Sequence, residues 1–437
     1  MKKNNTRTIL GIENFINNPE YKNYRNKKLG LVTNQSAILP SGTHTWDTLL
    51  ASGYSVGAFF GPEHGFRGDA QDAVKLNDTT YRDIPVYSLY GARYKPETYM
   101  LKGLDVLIFD IQDVGSRYYT YLYTLAYSLE AAAENNIEFV VTDRPNPIAL
   151  TSTYSKAKTG ISEERIVEGF PIDNDFESFV GGYGLPNRYG LTIGEFALYI
   201  KDKYYPDAKL TVIPMENYNP SYFFEDTNLP WVMPSPNIPT PTTALVYAGT
   251  CLVEGTNLSE GRGTTRPFEI IGAPWIDGDS LREKLMKEEL PGVVFSSTFF
   301  TPQFSKHAGK LCSGITIHVL DRTTYNPLLT AISVLFHIKR DYPKHFEWRA
   351  DWKNPNEYFI DKLAGTDLLR KMIDSGADSP VGKTSSAEDS TSENPAYSAP
   401  IAGPSKQQNS LKTPRDIFLR YNRPSEFKKE IKKYLIY

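Results

Sequence analysis

Four short apolar runs in the first third of the chain, each followed by polar residues, constrain its fold more than any other feature. They are LGLVT at Leu29–Thr33, VGAFF at Val56–Phe60, DVLIF at Asp105–Phe109 and IEFVVT at Ile137–Thr142. Continuous runs of this length fit strands buried on both faces of a parallel sheet. Between the third and fourth, Leu122, Leu125, Leu129 and Ala133 recur at helical spacing, and TWDTLL from Thr45 opens a helix between the first two. A βα succession with right-handed crossovers leaves successive strands parallel. Its carboxyl edge then gathers Asn34-Gln35, Gly61 to Gly65, Asp110 to Asp113 and Asp143 to Pro147 on one rim. Ligands of α/β sheets bind at such a rim.

The pattern is less regular after Pro147. Thr192 followed by Glu195 has the spacing of a capping box before the helix FALYIKDKY, and KLTVI at Lys209–Ile213 reads as a strand. LPWVMPSPNIPTPTT, Leu229 to Thr243, has five prolines, which exclude a continuous helix or central strand; Trp231 and Met233 mark it as a packed loop. Beyond it, Ala244–Leu252 and Leu328–Lys339 read as helices and Gly314–Leu320 as a strand. The expectation is an α/β fold: a Rossmann-like, mostly parallel sheet domain over 1–225 and a second, smaller α/β domain over 226–437. Residues 375–411 have few large apolar side chains and form a candidate flexible insertion, and the terminal EFKKEIKKYLIY reads as a helix with a tail that docks back.

Composition excludes several function classes. Lys and Arg total 48 against 51 Asp and Glu, a balance that supplies no field for nucleic acid or an anionic membrane. No apolar run approaches the roughly 20 residues of a membrane span. The opening MKKNNTRTILGIENF lacks the apolar core of a secretory signal, which gives a cytoplasmic expectation, or a periplasmic or exported one if an upstream signal has been removed. Cys251 and Cys312 are too few for a disulfide scaffold. The six histidines form no H-E-x-x-H pattern, and GRGT at Gly261–Thr264 has neither a P-loop lysine nor dinucleotide-binding spacing, so no metal or cofactor is expected.

The sharpest chemistry lies in GPEHGFRG, Gly61 to Gly68. Glu63 in this glycine-framed turn either exchanges a proton with a leaving oxygen or locks the turn through backbone hydrogen bonds. His64 is an acid-base group, a ligand for a carboxylate or a support for Glu63. Asp110 and Asp113 follow a buried run; Asp110 is either the second carboxylate of a sugar hydrolase or a helix cap. Arg117 and Arg144 either clamp an anionic substituent or tie loops together. In EGTNLSEGRGTTRPFE, Glu254 to Glu269, the residues Glu254, Asn257, Glu260 and Arg262 form either a polar binding wall or a structural network, with Glu254 in reserve as the second carboxylate.

Taken together, GLVTNQSA (30–37), GPEHGFRG (61–68), FDIQDVGSRYYTY (109–121), TDRPNP (142–147), PSPNIPT (234–240), EGTNLSEGRGTTRPFE (254–269) and CSGITIHVLD (312–321) resemble the domain-of-unknown-function 1343 family across nearly the whole chain. Characterised members of that family are exo-acting β-N-acetylmuramidases, which remove non-reducing terminal N-acetylmuramic acid from peptidoglycan fragments. The resemblance implies a Rossmann-like catalytic domain joined to a smaller α/β domain, with substrate in the cleft between them. The family loops correspond to Glu63-His64, Asp110 through Arg117, Asp143-Arg144 and Glu254 through Arg262, and Glu63 carries over as the acid or base; the reading of the residues adds His64, Asp110 and Glu254 as catalytic candidates. The candidates for binding saccharide or muropeptide are Gln112, Asp113, Arg117, Asp143, Arg144, Asn257, Glu260 and Arg262 within those loops, with Asn34 and Tyr118 beside them. Tyr189 stands where the family pattern has a histidine, a departure that bears on proton chemistry. The competing readings are a peptidoglycan-fragment binder without catalysis and a glycosidase for another acidic sugar.

Overall fold

The computed structural model describes residues 6–68, 77–151, 164–351, 354–377 and 413–437. The insertion expected at 375–411 lies outside them except for its first three residues, which end the helix Leu368–Ala377.

Among the described residues the larger sheet contains β1 Lys28–Thr33, β2 Ser55–Gly61, β3 Thr79–Tyr81, β4 Ile84–Ser88, β5 Val106–Asp110, β6 Glu138–Thr142 and β7 Leu210–Ile213. Their order is β3-β4-β2-β1-β5-β6-β7, and every pairing is parallel except β3 with β4. All four apolar runs are strands. Alternate side chains enter two different cores, as a pleat demands. Leu29, Leu31, Phe59, Val106, Ile108 and Val140 join Trp46 and Phe15 on one face. Val32, Phe60, Leu107, Phe109, Phe139 and Val141 join Leu122 and Leu125 on the other. The second core continues without a break into Tyr247, Leu252, Phe268 and Leu329 of the second domain, so one body of apolar side chains joins the two domains.

The second domain carries an antiparallel sheet, β8 Ile270–Ala273, β9 Val293–Phe300 and β10 Cys312–Val319, in the order β8-β10-β9. Helix Gly278–Lys287 packs on β9 and β10, and helices Pro241–Thr250 and Pro327–Asp341 pack on each other. The capping box at Thr192 forms as expected, with Glu195 bonding the Thr192 amide at 2.9 Å. The terminal tail docks on the first domain: Ile436 N–H donates to Glu195, and the Tyr437 hydroxyl bridges the Met215 amide and Asp143. Among the described residues no helix is long and apolar enough to cross a membrane.

Candidate active site

β2 ends at Gly61, and the chain turns at once. Gly65 N–H returns to the Pro62 carbonyl at 3.0 Å, and a Cβ on Gly61 would lie 2.8 Å from the Phe66 nitrogen, so only glycine fits there. His64 has φ +67°, a left-handed conformation uncommon for a side-chain-bearing residue. Such strain is held only where the surroundings determine it, as they do at many ligand sites. Glu63 and His64 are both buried. Thr120, which precedes helix Tyr121–Glu134, donates its hydroxyl to Glu63 Oε2 at 2.6 Å and anchors the carboxylate to the start of that helix.

Facing Glu63 and His64 across a cleft is a wall from the second domain. Helix Pro241–Thr250 supplies Tyr247, and the short 3-10 turn Cys251–Gly255 supplies Cys251 and Glu254; Arg262 follows from the next loop. Arg262 Nη2 lies 3.0 Å from Glu254 Oε1 and its Nε 3.4 Å from Glu260 Oε1; Lys306 Nζ lies 2.8 Å from Glu260 Oε2. The charges therefore alternate from the protein body to the cleft. Burial works against the Glu260 carboxylate, but Lys306 and Arg262 outweigh it and hold its pKa below the ordinary value. The cleft thus presents two carboxyl groups from two domains, an imidazole and a charge-positioned guanidinium: the groups needed to protonate a leaving oxygen and stabilise an oxocarbenium-like centre.

A second recess also borders the Gly61–Gly68 turn, among Phe66, Arg67, Tyr81 and Tyr87. It is larger, about 290 Å³ against about 70 Å³ for the carboxylate-lined cleft. Size favours the recess and chemistry the cleft. Chemistry decides, because none of the residues lining the recess is a carboxylate or an imidazole.

The structure brings Glu63, His64, Tyr118, Glu254 and Arg262 to this cleft, with Glu260 directly behind Arg262. It commits the other sequence-expected residues elsewhere. Asp110 is the last residue of β5, paired with Thr33, rather than the first loop residue. The pleat turns it away from the Phe109 face, and Arg144 grips it at 2.6 and 3.0 Å in full burial. Arg144 also donates to the Ile38 carbonyl. The pair is a strut under the rim. Arg117, completely buried, donates to the carbonyls of Phe170, Leu185 and Leu363 and so ties the two domains together instead of facing substrate. Asn34 bonds the Tyr121 hydroxyl and Ser36, Gln112 the carbonyls of Asp113 and Pro145, and Asn257 the backbone of His345 and Glu347. Each of these amides is spent on shaping a loop.

Asp113 accepts from Tyr189 and Gly115, and Asp143 from Thr192, Gly194 and Tyr437. Tyr189 is thus a fully buried support for Asp113, not a cleft residue. Burial pushes Asp113 up to about 6 and Asp143 up to about 7, the latter helped by the Glu195 charge. An acid whose folded pKa exceeds its unfolded value binds protons more readily when folded, so its contribution is greatest below about pH 4 and is lost as pH rises through the folded value. Stability is expected to decline from about pH 4 to about pH 6 through Asp113 and on to about pH 7 through Asp143, with a slope of up to about 1.4 kcal/mol per pH unit per group. Asp143→Asn should flatten the part of that decline between pH 6 and 7, as read by urea unfolding at several pH values; an unchanged slope would contradict the assignment.

Several cleft residues escaped sequence reasoning. Thr120 sits inside the motif FDIQDVGSRYYTY, and Ser235 and Asn237 sit inside PSPNIPT. The proline-rich run packs on the core through Trp231 but not through Met233, which is exposed, and it closes the rim where the Gln35 amide reaches the carbonyls of Met233 and Pro234. A turn so dense in proline, with Ser and Asn between, was the available signal. Among the described residues no group of three His, Cys, Asp or Glu side chains could hold a metal ion.

Residues 29–242 match the family model for the N-terminal part of the exo-β-N-acetylmuramidase NamZ, and residues 245–392 match the model for its C-terminal part. The chain belongs to the NamZ family. It is 44% identical over 370 residues to the peptidoglycan β-N-acetylmuramidase NamZ of Bacillus subtilis strain 168, covering 84% of each chain. Two crystal structures of DUF1343 family proteins from Bacteroides fragilis NCTC 9343 share the fold. One superposes with a TM-score of 0.79 at 28% identity and the other with 0.68 at 27%; each comparison covers 99% of both chains. Both family models contribute to the cleft, because Glu63 falls in the first and Glu254 in the second.

Proposed function

We propose that this chain is an exo-acting β-N-acetylmuramidase that hydrolyses the bond holding a non-reducing terminal N-acetylmuramic acid to a peptidoglycan fragment. The observation that carries the reading is the 44% identity, over 84% of the chain, to a peptidoglycan β-N-acetylmuramidase. The two-walled cleft supports it. Glu63, held by Thr120, gives a proton to the glycosidic oxygen as the bond from the anomeric carbon breaks. Glu254 faces the positive charge that develops on the sugar ring, and water completes the hydrolysis at the anomeric carbon. Arg262, set by Glu254 and Glu260, is the cleft's guanidinium for the lactyl carboxylate that distinguishes muramic acid from glucosamine. Saccharides and muropeptides with that terminus are the substrate class.

The test is mass-resolved product analysis on disaccharides ending in muramic acid, glucosamine or a uronic acid. Free N-acetylmuramic acid should be released from the first substrate alone. Saturable binding without a released sugar, or equal release from all three, would contradict the proposal.

A further inference from the structure

Beside the Glu63 turn the cleft ends in a cluster of aromatic rings that the chemistry above leaves unused. Phe179, in the glycine-rich stretch FVGGYG, borders the cleft with Glu63. Tyr90 and Tyr94 come from the segment that follows β4 at the same carboxyl edge of the sheet. The ring centroids of Phe179 lie 5.1 Å from Tyr94 and 5.6 Å from Tyr90, and the two tyrosines are 5.8 Å apart. Unlike the buried tyrosines of the cleft floor, Tyr94 is 38% exposed, and Phe179 and Tyr90 are half-buried. The Tyr94 hydroxyl is close enough to Glu63 for that charge to add to burial in raising its pKa.

We propose that Tyr90, Tyr94 and Phe179 form the subsite for the sugar on the leaving-group side of the scissile bond. The inference rests on the muramidase reading and adds which residues hold the second sugar. An exo-acting enzyme buries the terminal residue and leaves the rest of the chain toward solvent, with the proton donor between them. Here the side chains of Glu254 and Arg262 are largely buried and Tyr94 is exposed, which makes the charged wall the inner partner of Glu63 and the aromatic cluster the outer one. A pyranose in the β configuration offers an apolar C–H face bordered by hydroxyls. Tyrosine and phenylalanine rings match the face, and tyrosine hydroxyls match the rim. The occupant that fits is an N-acetylhexosamine, the sugar next to muramic acid in peptidoglycan.

The experiment compares N-acetylmuramyl-β-1,4-N-acetylglucosamine with methyl β-N-acetylmuramide in wild type, Tyr94→Ala, Tyr94→Phe and Tyr90→Ala/Tyr94→Ala. The ratio of kcat/KM for disaccharide over methyl glycoside should fall about tenfold in Tyr94→Ala, mostly through KM, and further in the double variant. Tyr94→Phe should retain most of the ratio. The inhibition constant of free N-acetylglucosamine should rise in parallel. A ratio and an inhibition constant both unchanged in a folded double variant, or an equal loss on both substrates, would overturn the subsite. Wild-type protein inert on both glycosides would count against the muramidase reading, and calorimetric affinity for N-acetylglucosamine in wild type and double variant would then decide the subsite alone.

Discussion

Glu63→Gln protein is expected to fold as wild type does and to release N-acetylmuramic acid about a thousandfold more slowly, with KM changed little. The amide keeps the size of the carboxyl and still accepts the Thr120 hydroxyl, so the turn closed by Gly65 N–H on Pro62 is undisturbed. What it lacks is an exchangeable acid proton at the leaving oxygen, and general acid catalysis contributes about 10²- to 10⁴-fold. Loss confined to kcat identifies an interaction made in the transition state. Thr120→Val removes only the anchor, so its loss should be smaller, about tenfold, and Thr120→Ser should restore most of it. Steady-state kinetics with a thermal melt of each variant checks both expectations. Full turnover in folded Glu63→Gln protein would remove Glu63 from the reaction.

Arg144→Met should destabilise the protein by about 3–5 kcal/mol, because it leaves the Asp110 carboxylate in full burial without its ion-pair partner. The loss comes less from the missing attraction than from a charge stranded away from water. Replacing both partners, as Asp110→Leu with Arg144→Met, should recover a large part of the stability, since well-packed apolar side chains often match or exceed a buried pair. Urea unfolding of the two single variants and the double variant measures this coupling directly. Turnover measured on the same variants separates the catalytic role that the sequence left open for Asp110 from the strut that replaces the helix cap it also offered. A catalytic Asp110 would lose turnover on substitution with stability intact; a strut loses stability first.

That outcome turns on one residue of register. The apolar run expected to end at Phe109 extends one position, so Asp110 belongs to β5 and follows the pleat to the face opposite Phe109. A continuous apolar run marks a buried strand but carries no alternation to say which face its last polar residue will take. The four parallel strands, the capping box at Thr192 and the packed proline-rich loop were legible because each depends on local chemistry. The edge strands β3 and β9, and β4 beside β3, were not. IPVYS in β4 contains a proline, and β9 reads VVFSSTFF with a mixed pattern of exposure, so pairing partners rather than local preference decide these elements.

The site divides along the same line. Glu63 and His64 announce themselves through glycines, Gly61 for a close approach and Gly65 for a left-handed backbone, and Glu254 and Arg262 through a dense polar loop. The guanidiniums of Arg117 and Arg144 look identical to Arg262 in sequence, yet the structure surrounds the first with carbonyls and the second with Asp110. Whether an arginine faces substrate depends on which acceptors the fold brings within reach, and those come from far along the chain: Leu363 lies 246 residues beyond Arg117. The aromatic cluster of Tyr90, Tyr94 and Phe179 is invisible for the same reason.

The most direct measurement is a crystal structure of Glu63→Gln protein soaked with N-acetylmuramyl-β-1,4-N-acetylglucosamine. The muramic acid ring is expected between the substituted side chain and the Glu254–Arg262 wall, with the glycosidic oxygen within hydrogen-bond reach of the amide that replaces the Glu63 carboxyl. Disaccharide seated instead in the recess of Phe66, Tyr81 and Tyr87, with the two-domain cleft empty, would contradict it.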